Sequence, residues 1–417
     1  MRRISTDMPN TDTQYYLRRQ EERLNNVQTR LSGNTRITEL RDDPMSASHA
    51  VRYESYLARL KRFENNVLYA KEHYQFTHDY MNEAADVLQR MRELAVNGAN
   101  GVYAAEDLKI MAVEVNELLK ELVDISNKTG PDAKQLFSGD KVFTEPFRVV
   151  EGTVEGGGEQ MILRVEYRGS GASRKTEISG GAYAELDMGG GEVFWAEKMQ
   201  IFSTVDATGY RVSENGSFFI DGVEIPVTPG DTVQSIVAKI NESPAPVKAY
   251  VDMETRGLAL EGTSAHLIRM EDNTSGDLRV LQDLGIIRGN AENNAPNWSN
   301  AARVYGGSVF DMAIRLRDAF LRGDQEFAGS QGIGGMDLAL GNLEARRAQT
   351  GSRAERAEMT WTRLNQEIPD ITAALARESS VNYADAATEL AMMDFVHRAA
   401  LQTAARIIPP TLLDFLR

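Results

Sequence analysis

The chain has 417 residues, no cysteine and a formal charge of −15, with 61 acidic and 46 basic residues. A chain of this length is too long to fold around one ordinary hydrophobic core, which indicates two or three domains. The acidic balance argues against a general nucleic-acid surface, and the lack of cysteine excludes disulfides, thiolate catalysis and thiolate metal sites.

The amino terminus predicts a short helix followed by a long one. MRRISTDMPN has two arginines but no apolar segment behind them, so we expect no cleaved signal peptide. A short amphipathic helix ending at Ser32-Gly33-Asn34 is predicted by Leu17, Leu24, Val27 and Leu31. After an irregular link at 35–43, Pro44 suits the first turn of a second helix. That helix is expected to end at Val96, before Asn97-Gly98.

Heptad-patterned stretches flank the middle of the chain. One apolar seam recurs at seven-residue spacing at Tyr53, Leu60, Val67, Tyr74, Met81, Leu88 and Ala95. A returning helix repeats the pattern at Leu108, Met111, Val115, Leu118, Leu122 and Ile125. Near the other end the stripe consists of Thr350, Ala354, Ala357, Trp361, Leu364, Ile368, Ile371 and Leu375. Such stripes need a partner helix. We therefore predict a long antiparallel helical coiled-coil bundle, packed within the chain through Leu60, Val67, Tyr74, Met81, Leu88, Val115, Leu122, Trp361, Leu364 and Ile368.

The composition changes at 139–307, where most of the 34 glycines lie. Alternating apolar residues at 161–167 predict a half-buried strand, and Asp221-Gly222 predicts a two-residue hairpin turn. A helix at 232–241 and further short strands at 247–253, 258–261 and 267–270 follow. This pattern predicts an inserted α+β, mainly β, domain in a multidomain protein, with the glycine runs at 156–158 and 189–191 as exposed loops.

Helical patterning resumes near Ser308 and is expected to break at the glycine-rich stretch 329–335. A long helix at 338–376 contains Pro369, which should kink or split it. The last helix, ended by Pro409-Pro410, carries Leu390, Met393, Val396, Ala400 and Ile407. This helix is followed by an apolar tail, formed by Leu412, Leu413, Phe415 and Leu416. If the tail is exposed, it predicts an interface.

No constellation for catalysis or metal binding stands out. The five histidines are scattered along the chain, and we interpret them as solvated or groove-lining residues. They are His49, His73, His78, His266 and His397. The GGGE and GIGG stretches lack the lysine and the strand–helix context of a phosphate-binding loop, so we interpret them as ordinary loops. We expect no enzyme activity, no cofactor and no metal.

Four stretches, in order, resemble the bacterial flagellin superfamily. They are RLSGNTRITELRDDPMSASHAV (30–51), MRELAVNGANGVYAAEDL (91–108), VNYADAATEL (381–390) and PPTLLDFL (409–416). Within the superfamily, Pro44 after the aspartate pair, KQLFSGDKVFTEPF at 134–147 and the Asp-Phe-Leu ending resemble the hook-filament junction proteins. MRELAVNGANG reads closer to filament flagellins, and 228–286 resembles a small repeat inserted in flagellins and hook-cap proteins. A filament flagellin therefore stays open as an alternative. So do a non-flagellar coiled-coil tether and a secreted enzyme with helical flanks.

The resemblance implies a structural, hook-associated subunit of the flagellum, exported unfolded by the type III route to an external or periplasmic flagellum. Segments 1–41 and 381–417 would be disordered before assembly, 42–138 and 308–380 would form the rod, and 139–307 would face outward. Contacts between subunits would use Leu17, Leu24, Val27, Leu31, Leu390, Met393, Val396, Ala400, Ile407, Leu412, Leu413, Phe415 and Leu416. The implied partners are hook protein or a neighbouring hook-associated protein, flagellin, copies of the chain in a ring, and an export chaperone at the carboxy-terminal helix. Neither nucleic acid nor membrane insertion is implied.

Overall fold

A computed structural model describes residues 8–37, 39, 43–157, 160–273, 278–290 and 297–407. The chain divides into two compact units. The first, here called the terminal unit, lies within Met1–Asn65 and Trp361–Arg417, and the second, the central unit, within Asn66–Thr360.

Among the described residues, seven longer helices lie in the order that the sequence predicts, and three short ones, at 190–193, 280–283 and 325–327, were not predicted. They are α1 (Met8–Gly33), α2 (Pro44–Ala99), α3 (Ala105–Ser126), α4 (Gly190–Val193), α5 (Val233–Glu242), α6 (Val280–Asp283), α7 (Val309–Arg322), α8 (Gln325–Phe327), α9 (Ile333–Ser379) and α10 (Tyr383–Ile407). Ser308 caps α7 in a capping box with Asp311, and Asp43 accepts a hydrogen bond from the Ser46 N–H at the start of α2. The predicted helix starts at Pro44 and near Ser308 are thus confirmed.

Glycines that were expected to end helices lie inside them instead. Gly98 belongs to α2, and the stretch 329–335 passes from α8 through a π-helical turn, Ala328–Gly332, into α9. The predicted breaks, and the loop at GIGG, were therefore wrong. The reason is close packing, because a Cβ at Gly98 would lie 2.3 Å from the Phe320 ring and one at Gly335 would lie 2.7 Å from Met312 Sδ. α9 is also continuous through Pro369, which excludes a split there.

All strand pairs of the insert are antiparallel, which confirms the expected helical-plus-β, mainly β, architecture. The strands are β1 (Phe147–Thr153), β2 (Gln160–Tyr167), β3 (Lys175–Ser179), β4 (Ala182–Glu185), β5 (Gln200–Ser203), β6 (Gly216–Ile220), β7 (Val223–Val227), β8 (Val247–Val251), β9 (Leu258–Gly262), β10 (Met270–Asp272) and β11 (Ala302–Tyr305). They form sheets β1-β2, β3-β4, β10-β6-β7 and β11-β5-β9-β8. Asp221 and Gly222 both have positive φ, of 49° and 79°, as the predicted β6–β7 hairpin turn requires.

An aromatic cluster forms the centre of the core beside α4. Its members are Phe137, Phe147, Tyr167, Phe194 and Phe310, with ring centroids 4.9 to 5.7 Å apart. The run Gly189–Gly191 packs against it and is buried, because a Cβ at Gly190 would lie 2.6 Å from the Phe147 ring. The expectation of an exposed loop at 189–191 was therefore wrong, whereas Gly156, in the other glycine run, lies exposed in a turn as expected.

Two histidines expected to be solvated or groove-lining, His73 and His266, are buried beside aspartates, and each also lines a cavity. His73 Nε2 lies 3.3 Å from Asp187 Oδ1, and His266 Nε2 lies 3.2 Å from Asp221 Oδ2. Arg174 binds both oxygens of Asp187, at 2.7 and 2.8 Å. Burial alone would raise the pKa of Asp187, but its contacts with His73 and Arg174 lower it. These contacts fix the two loops of the insert that hold Asp187 and Asp221.

The His266–Asp221 pair predicts a pH dependence of stability. Burial alone would lower the pKa of His266, but Asp221 and the Ser264 carbonyl raise it above 6.5. This stabilisation is therefore complete below about pH 6.5 and is lost as pH rises through the folded-state pKa. In urea unfolding between about pH 6 and 9, the stability advantage of the wild type over His266→Gln should shrink with rising pH. The matched variant Thr263→Ala, three residues away and exposed, removes no titratable group, so its difference from the wild type should stay constant. A constant difference for His266→Gln as well would contradict the assignment.

Candidate assembly interface

α1 and α10 pack against each other within the terminal unit. On α1, Val27 is only 2% exposed, and the half-buried positions Leu17, Leu24 and Leu31 lie on the same face. On α10 the corresponding face contains buried and half-buried residues at three- and four-residue spacing, namely Ala386, Leu390, Met393, Ala400 and Ala404. Seven predicted interface residues, all of those just named except Ala386 and Ala404, therefore lie on the faces with which α1 and α10 meet. Their use between subunits stays a prediction.

Polar contacts tie the links beside these helices to the end of α9. The Arg36 N–H donates to the Ser379 carbonyl at 2.7 Å, and the Arg36 guanidinium donates to the Glu378 carbonyl at 2.9 Å and contacts Asp43 at 3.2 Å. Arg30 and Glu389 lie 3.9 Å apart across α1 and α10. The link after α1 is thus fixed to the end of α9, and one partly exposed ion pair joins α1 to α10.

A second face of α10 is apolar and uncovered. Met392 and Phe395 are 71% and 72% exposed, and Val396 and Leu401 are also exposed. Met392 and Phe395 lie one helical turn apart on one face, and α1 adds exposed Tyr15 and Tyr16. We name Met392, Phe395 and Val396 the outer stripe. Of these three residues, only Val396 belongs to the apolar seam that the sequence predicts for the last helix. The apolar side chains at 392 and 395 form a second stripe, which the sequence also contains. An exposed stripe of this kind is typical of an interface.

The residues predicted to pack the rod lie in the interior of the two units. Eight of them are buried, namely Leu60, Val67, Tyr74, Met81, Leu88, Val115, Leu122 and Leu364. Trp361 and Ile368 are half-buried. In the central unit, α2 and α9 are also joined by Arg92–Asp337 at 2.5 Å and by the Arg347–Asn82 hydrogen bond at 3.1 Å. Both helices therefore contribute to one core.

Some predicted interface positions lie outside the described residues. The backbone of Ile407 ends α10, but its side chain is not described. The apolar tail is likewise outside, with Leu412, Leu413, Phe415 and Leu416. Within the described part of the chain, no helix is long and apolar enough to cross a membrane. In the same part, no group of three or more His, Asp or Glu side chains could hold a metal ion.

Residues 4–142 match the family model of the bacterial flagellin N-terminal helical region. Over these residues the chain is similar to the amino-terminal helical region of the bacterial flagellins. This match confirms the resemblance seen at 30–51 and 91–108, and it covers α1, α2 and α3 of the structure.

The curated relatives that the chain matches include flagellins. The chain is 31% identical over 125 residues to flagellin FlaB1 of Treponema pallidum (strain Nichols), which covers 30% of this chain and 44% of that protein. It is 22% identical over 422 residues to flagellin A of Vibrio anguillarum, covering 99% of both chains. For the first-matched relatives, the chain spans about half of their length. Among solved structures, the flagellar hook-associated protein-3 of Legionella pneumophila has 17% sequence identity and a TM-score of 0.46, over 78% of this chain and 97% of that one.

Proposed function

We propose that the protein is a structural subunit of the bacterial flagellum, a hook-associated junction protein that assembles between hook and filament. The flagellin helical region at 4–142 supports a place in the flagellum. The outer stripe of α10 is the observation that carries assembly, because it leaves Met392 and Phe395 exposed beside the α1–α10 contact. A neighbouring subunit that covered the stripe would remove this apolar surface from water.

The choice of junction protein rests on local sequence. Pro44 directly follows the aspartate pair at 42–43, as in the hook-filament junction proteins. The segment 134–147 and the Asp-Phe-Leu sequence near residue 416 also resemble those proteins. A filament flagellin is the second candidate, and it is favoured by the names of the curated relatives. Copy number in purified flagella separates the two, because a junction protein forms a few rings whereas a filament flagellin is present in thousands of copies.

In this proposal the chain has three functional layers. Segments 1–41 and 381–417 pack against hook protein or another hook-associated protein, flagellin and further copies of the chain in a ring. Segments 42–138 and 308–380 form the rod, and 139–307 faces outward. The chain is exported unfolded, and a chaperone covers α10 until docking. Short helices without partners are marginal in water, so the ordering of the terminal segments is coupled to docking.

The outer stripe provides the test. The double variant Met392→Ser, Phe395→Ser in the source bacterium should be exported yet leave hooks without filaments, as seen by electron microscopy and loss of motility. Both side chains are mostly exposed, so the substitution should leave the fold intact, which circular dichroism of the purified variant checks. The matched control is Phe143→Ser, Met253→Ser, two side chains that are 84% and 98% exposed in the central unit. Normal filaments on the outer-stripe variant, or equal loss in the control, would refute the proposal.

A further inference from the structure

A small cavity of about 260 Å³ opens on α2 in the central unit. Four lining residues come from one face of this helix, at positions i, i+3, i+4 and i+7, namely Tyr69, Glu72, His73 and Phe76. Pro131 and Asp132, in the turn after α3, form the opposite wall. Helix and turn thus enclose a concave site from two sides.

Three of the six residues that line this cavity have aromatic rings. The Tyr69 and His73 rings stack with centroids 6.2 Å apart and an interplanar angle of 26°. His73 is fixed from inside by Asp187, at 3.3 Å, and Phe76 is 37% exposed at the surface. Tyr69 and His73 are therefore held in place before any ligand arrives, and Phe76 adds a partly exposed ring.

The charged lining is negative. Glu72 forms no ion pair with any residue of the described chain. Asp132 pairs with Lys134 at 2.8 Å and accepts a hydrogen bond from the Tyr69 hydroxyl at 2.8 Å. Although burial alone would raise the pKa of Asp132, these hydrogen bonds lower it to about 2. Lys134 thus balances the charge of Asp132, and the Glu72 carboxylate adds one further negative charge to the wall.

The Lys134 ammonium lies beside the hydroxyl end of the Tyr69 ring, 3.4 Å from the hydroxyl oxygen. The Lys134 ammonium is 5.5 Å from the Tyr69 centroid, within the distance at which a ring quadrupole attracts positive charge. We propose that the cavity binds a small organic cation with a methylated ammonium head. Its methyl groups would contact Tyr69, His73 and Phe76, and its charge would face Glu72. This inference is independent of the flagellar assignment.

Titration calorimetry of the full-length protein at constant ionic strength tests the proposal. Choline should bind saturably, and about tenfold more tightly than 3,3-dimethylbutan-1-ol, its neutral isostere, since only the cation gains from the ring faces and the carboxylate. Equal binding of the isostere would mean an ordinary apolar cavity, and no saturable binding would mean no site. Tighter binding of Nα-acetyl-lysine amide than of choline would assign the cavity to a protein side chain. Each of these three results overturns the proposal.

Variants locate the site. Phe76→Leu and Glu72→Gln change exposed side chains and should each weaken choline binding about fivefold without unfolding the protein. The matched control Phe143→Leu alters an aromatic that is 84% exposed elsewhere in the central unit, and should leave binding unchanged. Choline binding that survives both cavity substitutions would place the cation elsewhere and refute the assignment.

Discussion

Replacing Arg317 with methionine should lower the free energy of unfolding of the central unit by about 3 kcal/mol. The Arg317 side chain has no exposed surface. One of its nitrogens, Nη1, donates to Asn116 Oδ1 at 3.1 Å and to the Ile162 carbonyl at 2.7 Å. Methionine fills similar space without a donor, so two buried acceptors on α3 and β2 lose their partner. Such groups are costly to leave unpaired.

The control for this substitution lies on the same helix. Arg315 is exposed on α7, so Arg315→Met should change the unfolding free energy by no more than about 0.5 kcal/mol. Urea unfolding followed by circular dichroism and by tryptophan fluorescence measures both variants. Equal stability of the two would show that the Arg317 contacts contribute little.

Replacing Phe194 with alanine should lower the free energy of unfolding by about 4 kcal/mol. Phe194 is fully buried, and its ring centroid lies 5.1 Å from Phe137, 5.4 Å from Phe147 and 5.7 Å from Phe310. Truncation removes apolar contacts and leaves a cavity among rings that cannot all collapse into it.

Phe143 supplies the comparison for Phe194. It is 84% exposed, and Phe143→Ala should be neutral within about 0.5 kcal/mol. Thermal and urea unfolding of the two variants would reveal the difference. A loss below about 1 kcal/mol for Phe194→Ala would mean that the cluster repacks around the gap.

Much of the fold was predictable wherever the physical cause is local. Ser308 and Asp311 form a capping box from side chains three residues apart, and Asp221-Gly222 adopts the positive φ values of a hairpin turn. The heptad seam through Val67, Met81 and Leu88 is buried, as its spacing indicates. In each case neighbouring residues on one element supply the signal.

The candidate interface was predictable in part. The helices α1 and α10 and the face that holds Leu390 and Met393 follow from apolar spacing. The outer stripe was missed at Met392 and Phe395, because spacing alone does not tell which of two apolar phases its neighbour covers. The aromatic cavity on α2 was also missed, since Pro131 and Asp132 are distant in sequence from the helix they face.

By itself, the sequence determined the helical segments at both ends of the chain, the mainly β insert and the flagellin resemblance, because caps, turns and heptads act over a few residues. Only the tertiary structure decided the role of the glycines at 98, 190 and 335, where a ring or a methionine from another element occupies the space of a Cβ. It also decided that His73 and His266 are buried beside aspartates rather than solvated. Both outcomes depend on which distant segments meet, and local spacing carries no record of that.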